Sequence, residues 1–212
     1  MKQVKGNKTV DFSSSELDDL IRNFRRVEID LGTGDGRFVY KKALENPEIL
    51  FIGIDPSEKQ LEIYSKKAAR KRLKNALFVL GSAEILPVEL NGKADKLYII
   101  LPWGTLLQLI IKPTSQGLEK LKQLLKPMAE ITMVFGYSPE LEPSESRRLD
   151  LPEVDEKYIN DEIAPVFQKN GFKINSLEKM FPQKLDELDS TWSKKIRLTT
   201  SRPLFIMQIT RE

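Results

Sequence analysis

Apolar residues in this chain fall into short runs separated by amphipathic stretches. Strand-like runs lie at Val27–Asp30, Leu50–Asp55, Ala76–Leu80, Lys96–Leu101 and Ile131–Tyr137. Helix-compatible segments separate the first four, and another covers Ser115–Leu125. An acidic, proline-containing stretch follows Tyr137 to about Asn160; then Ile163, Val166 and Phe167 share a helical face closed by Asn170-Gly171, a suitable helix end. Two more strands fit at Phe172–Leu177 and Leu204–Thr210. Such alternation predicts an α/β fold over residues 1–212, a single domain built on a seven-stranded, mostly parallel sheet with helices on both faces. Residues 1–10 read as an N-terminal extension, and 138–160 and 178–203 as insertions.

Composition removes whole chemistries. The 212 residues include no Cys and no His, which excludes disulfides, thiolate nucleophiles, zinc fingers and a Ser-His-Asp triad; no metal site is expected. Carboxylates, amides, aromatics or a cofactor must carry any activity. The start has no signal-like apolar region, and the apolar stretch Leu97–Ile111 is broken by Pro102, Gly104 and Gln108, so a soluble, cytoplasmic protein with no membrane contact is expected. Net charge is only +3, but it is uneven. Lys66–Lys74 holds six basic residues and no acid, whereas Ser138–Glu162 has nine acids against three bases. A further basic stretch, Thr191–Arg202, carries Lys194, Lys195, Arg197 and Arg202.

The most informative string is Val27-Glu28-Ile29-Asp30-Leu31-Gly32-Thr33-Gly34-Asp35-Gly36-Arg37, a strand running into a glycine-rich turn ahead of a helix. Glycine admits positive φ and close ligand approach, and open α/β sheets bind ligands beyond their strand ends; a tight turn without a ligand is the plainer reading. A dinucleotide fingerprint begun at Gly32 needs glycine where Arg37 stands. Asp-x-Gly-x-Gly-x-Gly instead resembles the first motif of class I S-adenosylmethionine-dependent methyltransferases, in which an anionic Asp30 favours the cofactor's positive end.

The remaining motifs each admit two readings. Asp55 ends the second strand 19 residues after Gly36, a spacing that suits ribose hydroxyls, while Ser57 with Gln60 fits a capping box. Ser82-Ala83-Glu84 is an ordinary loop or an adenine contact. Trp103, after the fourth strand, is core or a substrate platform, and Trp192 is a linker anchor or a second aromatic face for an unstacked base. On a helix from Ser57, Leu61, Tyr64 and Ala68 share one face, and Lys66, Lys67, Arg70, Lys71 and Lys74 project from the other. That basic face is simply solvated or contacts phosphate.

These strings together resemble the aminoglycoside-resistance methyltransferases of the NpmA and KamB type, which modify an adenine of small-subunit ribosomal RNA. The likeness runs through Lys8-Thr9-Val10-Asp11, the glycine-rich motif, Ile52-Gly53-Ile54-Asp55-Pro56, Ala83-Glu84, Leu86-Pro87, Pro102-Trp103-Gly104-Thr105-Leu106-Leu107 and Trp192-x-Lys194. It implies a Rossmann-like class I methyltransferase acting at N1 of adenine 1408 in the assembled 30S subunit, with resistance to kanamycin- and apramycin-type drugs. By the same resemblance S-adenosylmethionine is held by Asp30, Gly32, Thr33, Gly34, Gly36, Asp55, Pro56, Ser82, Ala83, Glu84, Thr105 and Ser190. Trp103 and Trp192, with Pro102, hold the flipped base. Lys66, Lys67, Arg70, Lys71, Lys194, Lys195, Arg197 and Arg202 grip RNA, and the enzyme is a monomer. Two positions depart from the pattern: Leu101 stands where an aromatic is expected, and Thr199-Thr200 where relatives are more basic. A tRNA guanine-N7 methyltransferase, a small-molecule methyltransferase and a non-catalytic cofactor- or RNA-binding module are the alternatives.

Overall fold

The computed structural model describes residues 1–180 and 203–212. Among the described residues nine strands form one sheet in the order β2-β1-β5-β4-β3-β6-β7-β9-β8. Five of them, β3 (Arg26–Leu31), β4 (Ile49–Asp55), β5 (Ala76–Leu80), β6 (Ala94–Ile100) and β7 (Leu125–Phe135), are parallel neighbours. β9 (Leu204–Arg211) lies antiparallel to both β7 and β8 (Phe172–Met180). These are the seven expected strands, with β9 alone reversed among them. The sheet has nine because the expected N-terminal extension is itself a hairpin. β1 (Lys2–Lys5) and β2 (Lys8–Asp11) pair in register, and β1 adds antiparallel to the edge of β5 at Gln3↔Val79.

Side-chain alternation along the strands builds the two faces. Val27, Ile29, Leu31, Leu50, Ile52, Ile54, Leu97 and Ile99 point to one side and join a large core. That side is covered by α1 (Ser14–Ile21), α4 (Gly104–Ile111), α5 (Ser115–Leu124) and α8 (Ala164–Lys169), which contribute Leu17, Leu107, Ile110, Leu118, Leu121 and Phe167. Phe51 and Phe78 point the other way, against Val39 and Ala43 of α2 (Arg37–Glu45) and Leu61 and Ala68 of α3 (Glu58–Arg70).

The acidic stretch is structured and packs beside α4. It forms α6 (Pro143–Leu149), then α7 (Glu156–Tyr158), a π-helical turn (Ile159–Ile163) and α8. Gln108 of α4 donates to the Leu149 carbonyl at 2.9 Å, and Lys112 to the Asp150 carboxylate at 2.8 Å. The π turn ends two residues before Pro165, which has no N–H to continue the α-helical ladder. Among the described residues no helix is long and apolar enough to cross a membrane.

Topology fixes the place of the site. The chain lays β4 and β5 on one side of β3 and then crosses to put β6 on the other. The loops after β3 and β6 therefore diverge from a switch point and leave a crevice between them.

Candidate active site

The loop after β3 holds three left-handed glycines, each for a different reason. Gly32 has φ +79°, and its N–H donates to the Ile54 carbonyl at 2.8 Å; an added Cβ would meet Leu106 at 2.8 Å. Gly34 has φ +59° and faces open space, with nothing within 4 Å of an added Cβ. Gly36, at φ +80°, is the N-cap of α2, where a Cβ would lie 2.4 Å from the Phe78 ring. The turn is thus tied to β4, packed on β5 and open only at Gly34.

Asp55 joins that turn to α3. Its Oδ2 accepts from the Gly34 N–H and its Oδ1 from the Ser57 N–H, each at 2.9 Å. Each carboxylate oxygen can accept two hydrogen bonds, so one site on each is left for a ligand hydroxyl. Only half of the capping box expected at Ser57 forms. The Ser57 hydroxyl accepts from the Gln60 N–H at 3.3 Å, but the Ser57 N–H serves Asp55 instead. Burial raises the Asp55 pKa, and the two N–H donors oppose that shift.

Asp30 lies two residues before Gly32 at the end of β3 and is only 4% exposed. Burial raises its pKa from 3.8 to about 7; the Thr33 hydroxyl works against the shift and the charge of Asp55 adds to it. A carboxyl so disfavoured in its ionised form gains from a cation placed beside it.

Gly32, Gly34, Asp55, Pro56, Ser82, Ala83, Glu84, Trp103 and Thr105 converge on one cavity of about 440 Å³, a volume in the range of cofactor pockets. The Ser82 and Thr105 hydroxyls, donating to the Glu84 carboxylate, lower its pKa and link the turn after β5 to the start of α4. Leu31, Gly81, Leu101 and Leu106 complete the wall; as ordinary strand-end and helix residues they carry no sequence signal. Four expected residues do not line the cavity. Asp30 and Pro102 are buried beside it, Thr33 bonds backward to β4 through its N–H, and Gly36 serves packing. Ser190, Trp192, Lys194, Lys195, Arg197 and Arg202 lie outside the described residues.

Trp103 stands at the cavity wall as the N-cap of α4 and is 43% exposed, so it is no core residue. The turn that presents it is strained: Leu101 adopts φ +51°, a region bulky side chains rarely enter. The Leu101 N–H is held at 2.7 Å by the Val134 carbonyl of β7. Arg148 of α6, which no motif singles out, reaches within 3.8 Å of the position a Cβ on Gly104 would occupy. Among the described residues no cluster of acids could hold a metal ion.

Within the cavity Asp55 keeps an acceptor position on each carboxylate oxygen, and the Ser82-Ala83-Glu84 turn with Leu106 forms another part of the wall, while Asp30 lies buried beside it. Comparison with known proteins identifies the family. A family model described as NpmA, 16S rRNA (adenine(1408)-N(1))-methyltransferase, matches residues 2–211. A protein of that function from Escherichia coli is 37% identical over 207 residues, covering 95% of this chain and 94% of its own. The crystal structure of a 30S ribosomal A1408 methyltransferase from an uncultured bacterium is 40% identical, with a TM-score of 0.80 over 100% of both chains. A mutant 16S rRNA (adenine(1408)-N(1))-methyltransferase from Catenulisporales acidiphilia, solved with its cosubstrate SAM, is 25% identical, with a TM-score of 0.86 over 100% of this chain and 96% of its own. The glycine turn, Asp55 and the exposed Trp103 sit in a chain that belongs to the family of 16S rRNA (adenine(1408)-N(1))-methyltransferases.

Proposed function

We propose that this protein methylates N1 of the adenine at nucleotide 1408 of 16S rRNA, in the assembled 30S subunit, and thereby confers resistance to kanamycin- and apramycin-type aminoglycosides. One observation carries the reading: Trp103 lies half-exposed on the wall of the cavity shared by the glycine turn and Asp55. An aromatic face there can stack an unstacked purine against the cofactor's reactive end.

S-adenosylmethionine, when bound, supplies an electrophilic methyl group on a sulfonium. The protein's own residues bind and orient. Asp30 balances the cofactor's ammonium, and Asp55 accepts from ribose hydroxyls while holding Gly34 and Ser57 in place. Trp103 stacks the adenine, and we assign the opposite face of the base to Trp192. N1 of neutral adenine already carries a lone pair, so no proton has to leave before it attacks. A chain without histidine loses nothing by that lack, and the rate gain comes from alignment of the reacting atoms. The product bears a positive charge and a methyl on its Watson–Crick edge, which repels a cationic drug that must pair there.

Incubating intact 30S subunits with the protein and labelled S-adenosylmethionine should transfer label to 16S rRNA and halt reverse transcription at nucleotide 1408. Absence of both label and halt, with cofactor binding intact by calorimetry, overturns the assignment.

A further inference from the structure

The N-terminal hairpin carries a pair of cations that the cofactor site does not explain. In the β1–β2 ladder Lys2 stands opposite Asp11 and forms an ion pair with it at 2.7 Å, but Lys5 stands opposite Lys8. Like charges directly opposed across two strands destabilise the pairing. Both lysines are exposed, and neither makes an ion pair among the described residues.

The fold places this tip beside the basic end of α3. The Gly6 N–H donates to the Ser65 hydroxyl of α3 at 2.7 Å, and that hydroxyl donates in turn to the Val4 carbonyl at 2.8 Å. β1 runs antiparallel to β5 from Gln3↔Val79. Its Lys5 end therefore approaches the start of β5, where the chain arrives from Arg70, Lys71, Arg72 and Lys74. Val4 is buried against α3, so by alternation Lys5 and Lys8 stand on the ribbon's other face. They widen the basic corner around the sheet edge rather than doubling the helix row. Cations in the last turn of a helix have a sufficient local cause in the helix dipole. Two lysines opposed across a hairpin do not.

We infer that Lys5 and Lys8, with the α3 end, form one phosphate-binding corner that docks this enzyme on the folded 16S rRNA, an inference that rests on the function proposed above. Ser65 is its structural link, fixing the hairpin to the helix so that both sets of cations meet the RNA as one rigid surface.

The test uses the full chain and intact 30S subunits. Lys5→Gln with Lys8→Gln should weaken subunit binding several-fold. It should also flatten the plot of log affinity against log salt by about 1.4, at roughly 0.7 per phosphate contact. Cofactor affinity should be unchanged, and the melting temperature should not fall, since a like-charge pair is relieved. Lys2→Gln, at the neutralised end of the same ladder, should bind as wild type. A wild-type protein that methylates 30S subunits, beside a double variant with the same affinity and slope, overturns this inference alone. A wild-type protein that neither binds nor methylates 30S subunits overturns the function itself.

Discussion

Asp55 holds the Gly34 N–H at 2.9 Å through one carboxylate oxygen, so the residue we propose for the ribose also sets the only open glycine of the loop. Ser57 takes the second oxygen. Asp55→Asn puts an NH2 where one acceptor was, losing a charge-assisted bond to the backbone and one acceptor for the ligand. The expected loss is about 1.5 to 3 kcal/mol, which calorimetry should read as roughly ten- to hundredfold weaker S-adenosylmethionine binding. Wild-type affinity in Asp55→Asn would remove it from the site.

Asp30 gives a pH signature whose sign follows from its raised pKa of about 7 against an ordinary 3.8. Between these values the folded state keeps a proton that the unfolded state releases. Stability from this group is therefore greatest below about 3.8, declines as pH rises through the interval and levels off above 7. The full decline is about 4 kcal/mol at most. A bound ammonium favours the carboxylate, so cofactor affinity should rise with pH up to about 7 and then flatten. Asp30→Asn should melt higher than wild type by a wider margin at pH 8 than at pH 5 while losing cofactor affinity; equal margins would sink the burial argument.

Gly34 and Gly36 are two residues apart, and their alanine variants should fail in different ways. Alanine at either site meets a left-handed backbone, at about 1 to 2 kcal/mol. At Gly34 the new methyl enters open space in the cavity wall, so cofactor binding should suffer more than stability. At Gly36 it collides with Phe78, adding about 1 to 3 kcal/mol of overpacking. Thermal melts and calorimetry on both variants separate the two effects.

How far these sites were legible follows from what each residue must do. The parallel strands β4 and β5 announce themselves because burial on both faces demands apolar runs such as Leu50–Ile54, and β3 by its alternation of apolar and charged residues. The glycine turn and Asp55 are legible because a ligand and a left-handed backbone restrict residue type. The N-terminal hairpin is not: Val4 and Val10 are its only aliphatic residues, since an edge ribbon buries little and its Gly6-Asn7 turn is a weak local mark. Nor does Leu101 betray its positive φ, because nothing in a leucine asks for it; the pull comes from Val134 on a neighbouring strand. The approach of Arg148 to Gly104 depends on the packing of α6 beside α4, which no local motif announces.

The basic helix face divides on inspection. The Lys66 ammonium is ion-paired with Glu62 on the same helix, whereas Lys67 lies 3.8 Å from the centroid of the Tyr64 ring and Arg70 is exposed. Lys67→Gln and Arg70→Gln should each lower the salt slope of 30S binding by about 0.7. Lys66→Gln should change it less, because Glu62 already offsets that charge. Three equal effects would show that the Glu62 pair opens when RNA docks.

Trp103 separates binding from chemistry. It lines the cavity at the N-cap of α4, so replacing it removes an aromatic surface from the cavity wall. Stacking of a base on an aromatic ring contributes about 1 to 3 kcal/mol, a five- to 150-fold effect. Trp103→Ala should therefore lower kcat/KM for 30S methylation by at least that range, while cofactor affinity stays within a few-fold of wild type. Trp103→Phe keeps a smaller face in the same place and should recover part of the loss. If alanine and phenylalanine behave alike, the ring is acting through the shape of the α4 turn and not through the base.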